Sequence, residues 1–334
     1  MVDSIYSVVG DCMEAGDSAF RRQNPYGTIA EPTYSGALSF MRRRYSRNLE
    51  GVDVAVFGLP YDLAVSNRPG TRFGPRAIRA ASTNLCFGEA WPWYFDPFDR
   101  LHVVDYGDCV FDHGRPAQIP EQIKAFVQPI LQAGVTPLAM GGDHFITYPV
   151  LQALREHHGT PISLIHFDAH CDTWADEDGR IDHGTMFYHA AKQGVTAPER
   201  SIQLGMRTTN HETHGYEVKS GEWLHRNGIP AAIEAIRSRV GDHPCYITFD
   251  VDFLDPSVAP GTGTPVCGGF NMFQAIELMQ GMKGLNIVGM DVVEVSPPYD
   301  HAEMTALAGA TLAHNMLCLF AHDKPEVSSA TDKE

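Results

Sequence analysis

The chain has 334 residues, 43% hydrophobic and 20% charged, a balance ordinary for a globular protein that can bury a sizeable core as one domain or two. Forty-one acidic against 25 basic side chains leave a formal charge of −16, which disfavours nucleic acid and anionic membrane surfaces and favours a small cationic ligand. Seven cysteines lie scattered without a C-x-x-C pair, the N-terminus shows no basic-then-apolar leader, and no apolar run approaches the roughly 18 residues that cross a bilayer; together these predict reduced thiols in a cytoplasm.

Residues 1–50 mix Gly, Pro and Arg and read as an N-terminal extension of loops, a candidate for subunit contacts. From Val52 the pattern alternates between strand and helix. Strands are predicted at 52–58, 102–105, 136–140, 162–167, 201–205, 245–249 and 286–293. Helices are predicted from Gly74 to Ala81, through Ile123–Leu131, and at 145–158, 185–194, 230–240, 272–282 and 302–320. Pro75 suits the first turn of its helix, whereas Pro129 should kink or restrict the helix around it. Alternation without a break in composition predicts one α/β domain over 51–322 with a mostly parallel sheet, followed by a polar tail at 323–334.

The chemistry is concentrated where strands end. Asp168-Ala-His170-Cys171-Asp172 follows one apolar, β-branched run, and Asp250-Val-Asp252 follows another. Open parallel sheets place their ligand sites there. Donors at i, i+2 and i+4 share a face of an extended backbone, so Cys171 points away. Two like charges about 4 Å apart repel by roughly 1–4 kcal/mol, and buried carboxylates need a partner. A cation is the simplest one. Asp255 precedes Pro256 and reads as a turn residue. Gly141-Gly-Asp143-His144 turns sharply after a strand and lifts His144 above the sheet edge. Four Asp and two His without a thiolate suit Mn²⁺ better than structural Zn²⁺, and six ligands suit two ions with shared carboxylates. Four carboxylates and two divalent ions cancel, so the reacting group can be cationic.

These residues resemble a known family. GGDH (141–144), FDAHCD (167–172) and TFDVDFLDP (248–256), in this order, are similar to the three signatures of the ureohydrolases, the arginase/agmatinase family. Further matches run from Gly70-Thr-Arg-Phe-Gly-Pro75 through Pro260-Gly-Thr-Gly-Thr-Pro265 to Asp291-Val-Val-Glu294, so the resemblance covers about residues 50–320. Its wording at Asp182-His183-Gly-Thr-Met-Phe-Tyr188 is closest to the bacterial agmatinases. The resemblance implies a three-layer α/β/α sandwich around about eight strands, assembled as a homotrimer or homohexamer. It implies one Mn²⁺ on His144, Asp168, Asp172 and Asp250, and a second on Asp168, His170, Asp250 and Asp252. It further implies that His183 delivers a proton to the departing amine, Glu294 grips the guanidinium group, Asp172 accepts a proton from the attacking water, and Thr264 lies near the reacting centre.

Where arginases carry an Asn that reads the substrate's carboxylate, this chain has Trp174, followed by Asp176, Glu177 and Asp178, with Arg180 offsetting part of that charge. Agmatine, cationic at both ends, is therefore the expected substrate, giving putrescine and urea; 4-guanidinobutyrate and arginine are the alternatives. A mononuclear zinc deacetylase and a non-catalytic polyamine-binding relative are rival readings. A dinucleotide site is disfavoured, because Gly261-Thr-Gly263 lacks the third glycine of its motif.

Overall fold

The computed structural model describes residues 33–326 except 87 and 177, so most of the expected N-terminal extension and the end of the tail lie outside the described residues. Eight strands form one sheet: β1 (Val54–Leu59), β2 (Val103–Asp108), β3 (Thr136–Gly141), β4 (Ser163–Phe167), β5 (Ile202–Met206), β6 (Glu217–Ser220), β7 (Cys245–Asp250) and β8 (Ile287–Val293). They lie in the order β2-β1-β3-β8-β7-β4-β5-β6, and every pair is parallel. Seven helices are described: α1 (Gly74–Ser82), α2 (Ile119–Gln132), α3 (Thr147–His158), α4 (Met186–Lys192), α5 (Gly221–Val240), α6 (Met272–Gly281) and α7 (Met304–Ala321).

The strands are buried on both faces, which explains their unbroken apolar runs. Val56, Met140, Phe167, Phe249 and Met290 pack in one cluster with α1, α5, α6 and α7. Their neighbours Phe57, Ala139, Leu164, Tyr246 and Val293 point to the other face and pack with α2, α3 and α4. The result is the expected α/β/α sandwich.

Four local expectations change. Pro129 does not break α2, because it sits in the last turn, where only the Ala125 carbonyl loses its donor. The predicted 230–240 helix is the second part of α5; an earlier helical segment begins at Gly221 and is joined across a break at Gly228, whose φ of 80° no helix contains. Strand β6 was not predicted, since its four half-buried residues show no apolar signature. Contrary to the sequence expectation, α7 is long and apolar enough to cross a bilayer, but 78% of it is buried within the fold, which marks a core helix.

Candidate metal centre and pocket

Four adjacent central strands, β3, β8, β7 and β4, present their C-terminal ends to one place. Phe167 pairs with Phe249, so Asp168 and Asp250 leave the sheet side by side, and Asp250 pairs with Val293, the residue before Glu294. His144 arrives from β3 through a turn that only glycine permits. A Cβ on Gly142 would fall on the Tyr61 carbonyl oxygen, because the backbones there bond directly: Gly142 N donates to Leu59 O at 3.0 Å and Asp143 N to Tyr61 O at 2.8 Å.

All six predicted donors meet. His144 Nδ1 lies 3.0 Å from Asp168 Oδ2, 3.0 Å from Asp172 Oδ2 and 3.5 Å from Asp250 Oδ2. His170 Nδ1 lies 3.3 Å from Asp168 Oδ1 and 3.0 Å from Asp252 Oδ2. Asp168 thus turns one oxygen toward each imidazole, and two compact donor groups, one of His144, His166, Asp168 and Asp172 and one of Asp168, His170 and Asp252, overlap at it. Although buried, His144 Nδ1 makes no well-directed hydrogen bond with any of its three neighbours. Donors converging on a common point look like this: ligands about 2.1 Å from an ion at right angles stand about 3 Å apart. The set therefore fits divalent cations.

Outer contacts fix the donors. His144 Nε2 lies 2.8 Å from Thr248 Oγ1, leaving Nδ1 for the cluster. Asp252 N donates to Asp250 Oδ1 at 2.7 Å, and Ala169 N to Asp252 Oδ1 at 2.9 Å. His166, which sequence reasoning missed, lies 2.7 Å from Asp168 Oδ2 through Nε2. The Gln203 amide, anchored on the Cys171 carbonyl, donates to His166 Nδ1 at 3.0 Å. That tautomer makes His166 a neutral donor supporting Asp168. Cys171 is buried beside Asn210, outside the cluster. Asp255, as expected, is structural: it accepts from Ser257, Gly268 and Gly269, and these bonds hold its carboxyl down to about 2.

The electrostatics record crowded charge. Burial, then the Asp168 charge, push both Asp172 and Asp252 up to about 6. Burial and the charges of Asp252 and Asp168 also hold Asp250 well above the usual carboxylate range. For Asp168 burial is outweighed by His166, His144 and His170, which together hold it well below that range. Burial depresses His170, but Asp252 and Asp168 overcome it and raise the ring to about 12. Asp172 (φ 53°) and Glu294 (φ 65°) adopt left-handed backbone, at on the order of 1–3 kcal/mol each.

Beside the cluster opens a cavity of about 280 Å³ lined by His170, Asp172, Trp174, Arg180, His183 and Thr264, among others. Thr264 Oγ1 donates to Asp252 Oδ2 at 3.4 Å. Glu294 Oε1 accepts from His144 N at 2.8 Å and meets His183 Nδ1 at 3.0 Å, while Oε2 is buried without a hydrogen-bond partner. Burial lowers His183, but Glu294 chiefly, then Asp172 and Asp143, raise it to about 9. Arg180 pairs with Asp182 at 2.7 Å and Asp176 at 3.5 Å, so part of the acidic rim is already neutralised. Ser66, from the loop after β1, lines the cavity too, and no residue pattern had pointed to it.

Comparison with known proteins agrees with this geometry. The arginase family model matches residues 52–318. The chain is 53% identical to an agmatinase of Chromobacterium violaceum over 95% of its own length and 98% of that protein's, and 45% identical to one of Proteus mirabilis over 87% and 95%. A crystal structure of a hypothetical agmatinase from Burkholderia thailandensis superposes with a TM-score of 0.87 at 52% identity, covering 92% of this chain and 98% of that one. Proclavaminate amidino hydrolase from Streptomyces clavuligerus gives 0.83 at 35%, covering 87% and 99%. Sheet order, convergent donors and a match over most of the length lead to one conclusion: the chain belongs to the arginase family.

Proposed function

We propose that this protein hydrolyses agmatine to putrescine and urea with two Mn²⁺ ions. His144, Asp168, Asp172 and Asp250 would hold one ion, and Asp168, His170, Asp250 and Asp252 the other. Once bound, the pair supplies Lewis-acid activation of a water for attack on the guanidinium carbon.

The observation that carries the reading is Glu294 Oε2, an unpartnered, buried carboxylate oxygen beside six convergent donors. Its sister oxygen is held by His144 N and His183, so the carboxylate cannot swing away. A guanidinium N–H at Oε2 would complete its hydrogen bonding through a charge-assisted contact. Asp172, a ligand that would face the same water, would accept its proton. His183, whose protonated form Glu294 favours, is matched to give one to the departing amine. Relatives at 45–53% identity named agmatinases support the substrate.

Asp182 favours an ammonium at the mouth, whereas the Arg180 guanidinium would meet a carboxylate, which makes 4-guanidinobutyrate the compound to compare. Urea release from a panel of guanidino compounds, with manganese counted on the same sample, tests the proposal. We expect agmatine to give the highest kcat/KM with two ions per subunit. Faster release from 4-guanidinobutyrate or arginine would reject the substrate, and a single tightly held ion would reject the binuclear assignment.

A further inference from the structure

The loop joining β1 to α1 touches three other segments at the pocket rim. Ala64 N donates to Asp143 Oδ2 at 2.9 Å, and the Ala64 carbonyl accepts from His183 N at 3.3 Å. Asn67 Nδ2 donates to the Gly263 carbonyl at 3.0 Å, one residue before Thr264. Between these anchors Ser66 meets His183 twice, its amide N at 2.9 Å and its Oγ at 2.7 Å from the same Nε2 atom. Glu294 Oε1 lies 3.0 Å from Nδ1, across the ring. His183 is 8% exposed, whereas Ser66 is exposed and lines the cavity.

The two Ser66 groups are not equivalent. An amide N–H can only donate, so it selects the ring form that accepts at Nε2 and keeps its proton on Nδ1 toward Glu294. A hydroxyl both donates and accepts. A proton placed on Nε2 therefore has the Ser66 oxygen as its acceptor, and a proton leaving Nε2 meets that oxygen first. The charged groups facing His183 are Glu294 after β8, Asp172 after β4 and Asp143 after β3, with Asp182 and Arg180 beside it on its own loop. All except Arg180 are acidic, so the hydroxyl is a neutral exit from a ring enclosed mainly by carboxylates.

We propose that Ser66 is a relay and positioning residue for His183, an inference that rests on the guanidino-hydrolase reading above. As the amine departs, the imidazolium Nε2–H proton passes to Ser66 Oγ while the hydroxyl proton passes to the amine nitrogen. One N–H and one O–H bond break, one O–H and one N–H bond form, and the serine ends unchanged. The amide contact then holds the neutral ring in place for the next turnover.

Ser66→Ala keeps the amide and removes only the hydroxyl. We expect kcat to fall about tenfold to a hundredfold, with KM changed less than about twofold, manganese content unchanged, a shifted basic limb in the pH profile and a smaller solvent deuterium isotope effect. Ser66→Thr should restore most of kcat. In protein labelled with ¹⁵N-histidine and loaded with diamagnetic Mg²⁺ in place of paramagnetic Mn²⁺, the resonance lost in His183→Asn identifies His183, and its Nε2 shift should move in Ser66→Ala. Wild-type kcat and pH profile in Ser66→Ala overturn the proposal, as does an unmoved Nε2 resonance or an equal loss in Ser66→Thr. Loss of manganese in Ser66→Ala would show a merely structural role and overturn it too. Should the wild type release no urea from any guanidino compound, the functional reading fails and takes the relay with it, while the Nε2 shift still decides whether the hydroxyl positions the ring.

Discussion

Asp250 illustrates how much one side chain carries. Its Oδ1 holds the Asp252 main chain at 2.7 Å, its Oδ2 faces His144 at 3.5 Å, and it lies at the end of a central strand. Removing an outer partner of a metal ligand already costs about 10–100-fold in affinity or activity, so Asp250→Asn should cost more, with bound manganese falling well below two ions per subunit. Metal analysis beside urea release checks it; two retained ions with full turnover would end the bridging assignment. The six donors were legible in the sequence because acids directly after apolar runs conflict with strand propensity and burial, and that conflict is local. His166 and Ser66 were not legible. One looks like any strand histidine, and the other finds its partner 117 residues away.

Among the elements, those with a strong apolar period were read correctly to within a few residues, and those without one were missed. Strand β6 pairs only at the sheet edge with half-buried residues, and the start of α5 is masked by Gly228 and Pro230, which read as a boundary. The turn between β3 and α3 is the element on which the centre most depends. Its Gly142 sits where main chains touch, so Gly142→Ala cannot be relieved by a rotamer change. The destabilisation should reach the top of the about 1–3 kcal/mol range for overpacking, and His144 should be displaced. Thermal unfolding and manganese titration together test this: an unchanged midpoint with unchanged affinity would show that the loop after β1 yields easily.

For the molecule as a whole, crowded carboxylates tie stability to pH and metal. Asp172 and Asp252 hold their protons to about 6 against an ordinary value of 3.8, so the folded chain binds protons more tightly than the unfolded one. The contribution of these two acids to metal-free stability is therefore fully present below about pH 4 and is lost as pH rises from about 4 to about 6. Asp168 is shifted the other way, and its contribution is lost only at still lower pH, outside this window. Manganese replaces those protons, so it should raise the melting temperature by several degrees more at pH 7.5 than at pH 5. Calorimetry of stripped and reloaded protein at the two values checks the sign, and an equal gain at both would mean the acids are not the ligands.

The position of β8 also sets an order for biogenesis. It is the last of the described strands, yet it lies between β3 and β7 in the middle of the sheet, and α7 follows it into the core. Until β8 has left the ribosome, β3 and β7 each have an unpaired edge, and Glu294 does not yet exist. Pairings between segments this distant form slowly and leave strand edges open to other chains meanwhile. The nascent protein thus passes through a stage in which half-built sheets are exposed and no catalytic centre can form, and it leaves that stage only when its C-terminal portion slots into the gap.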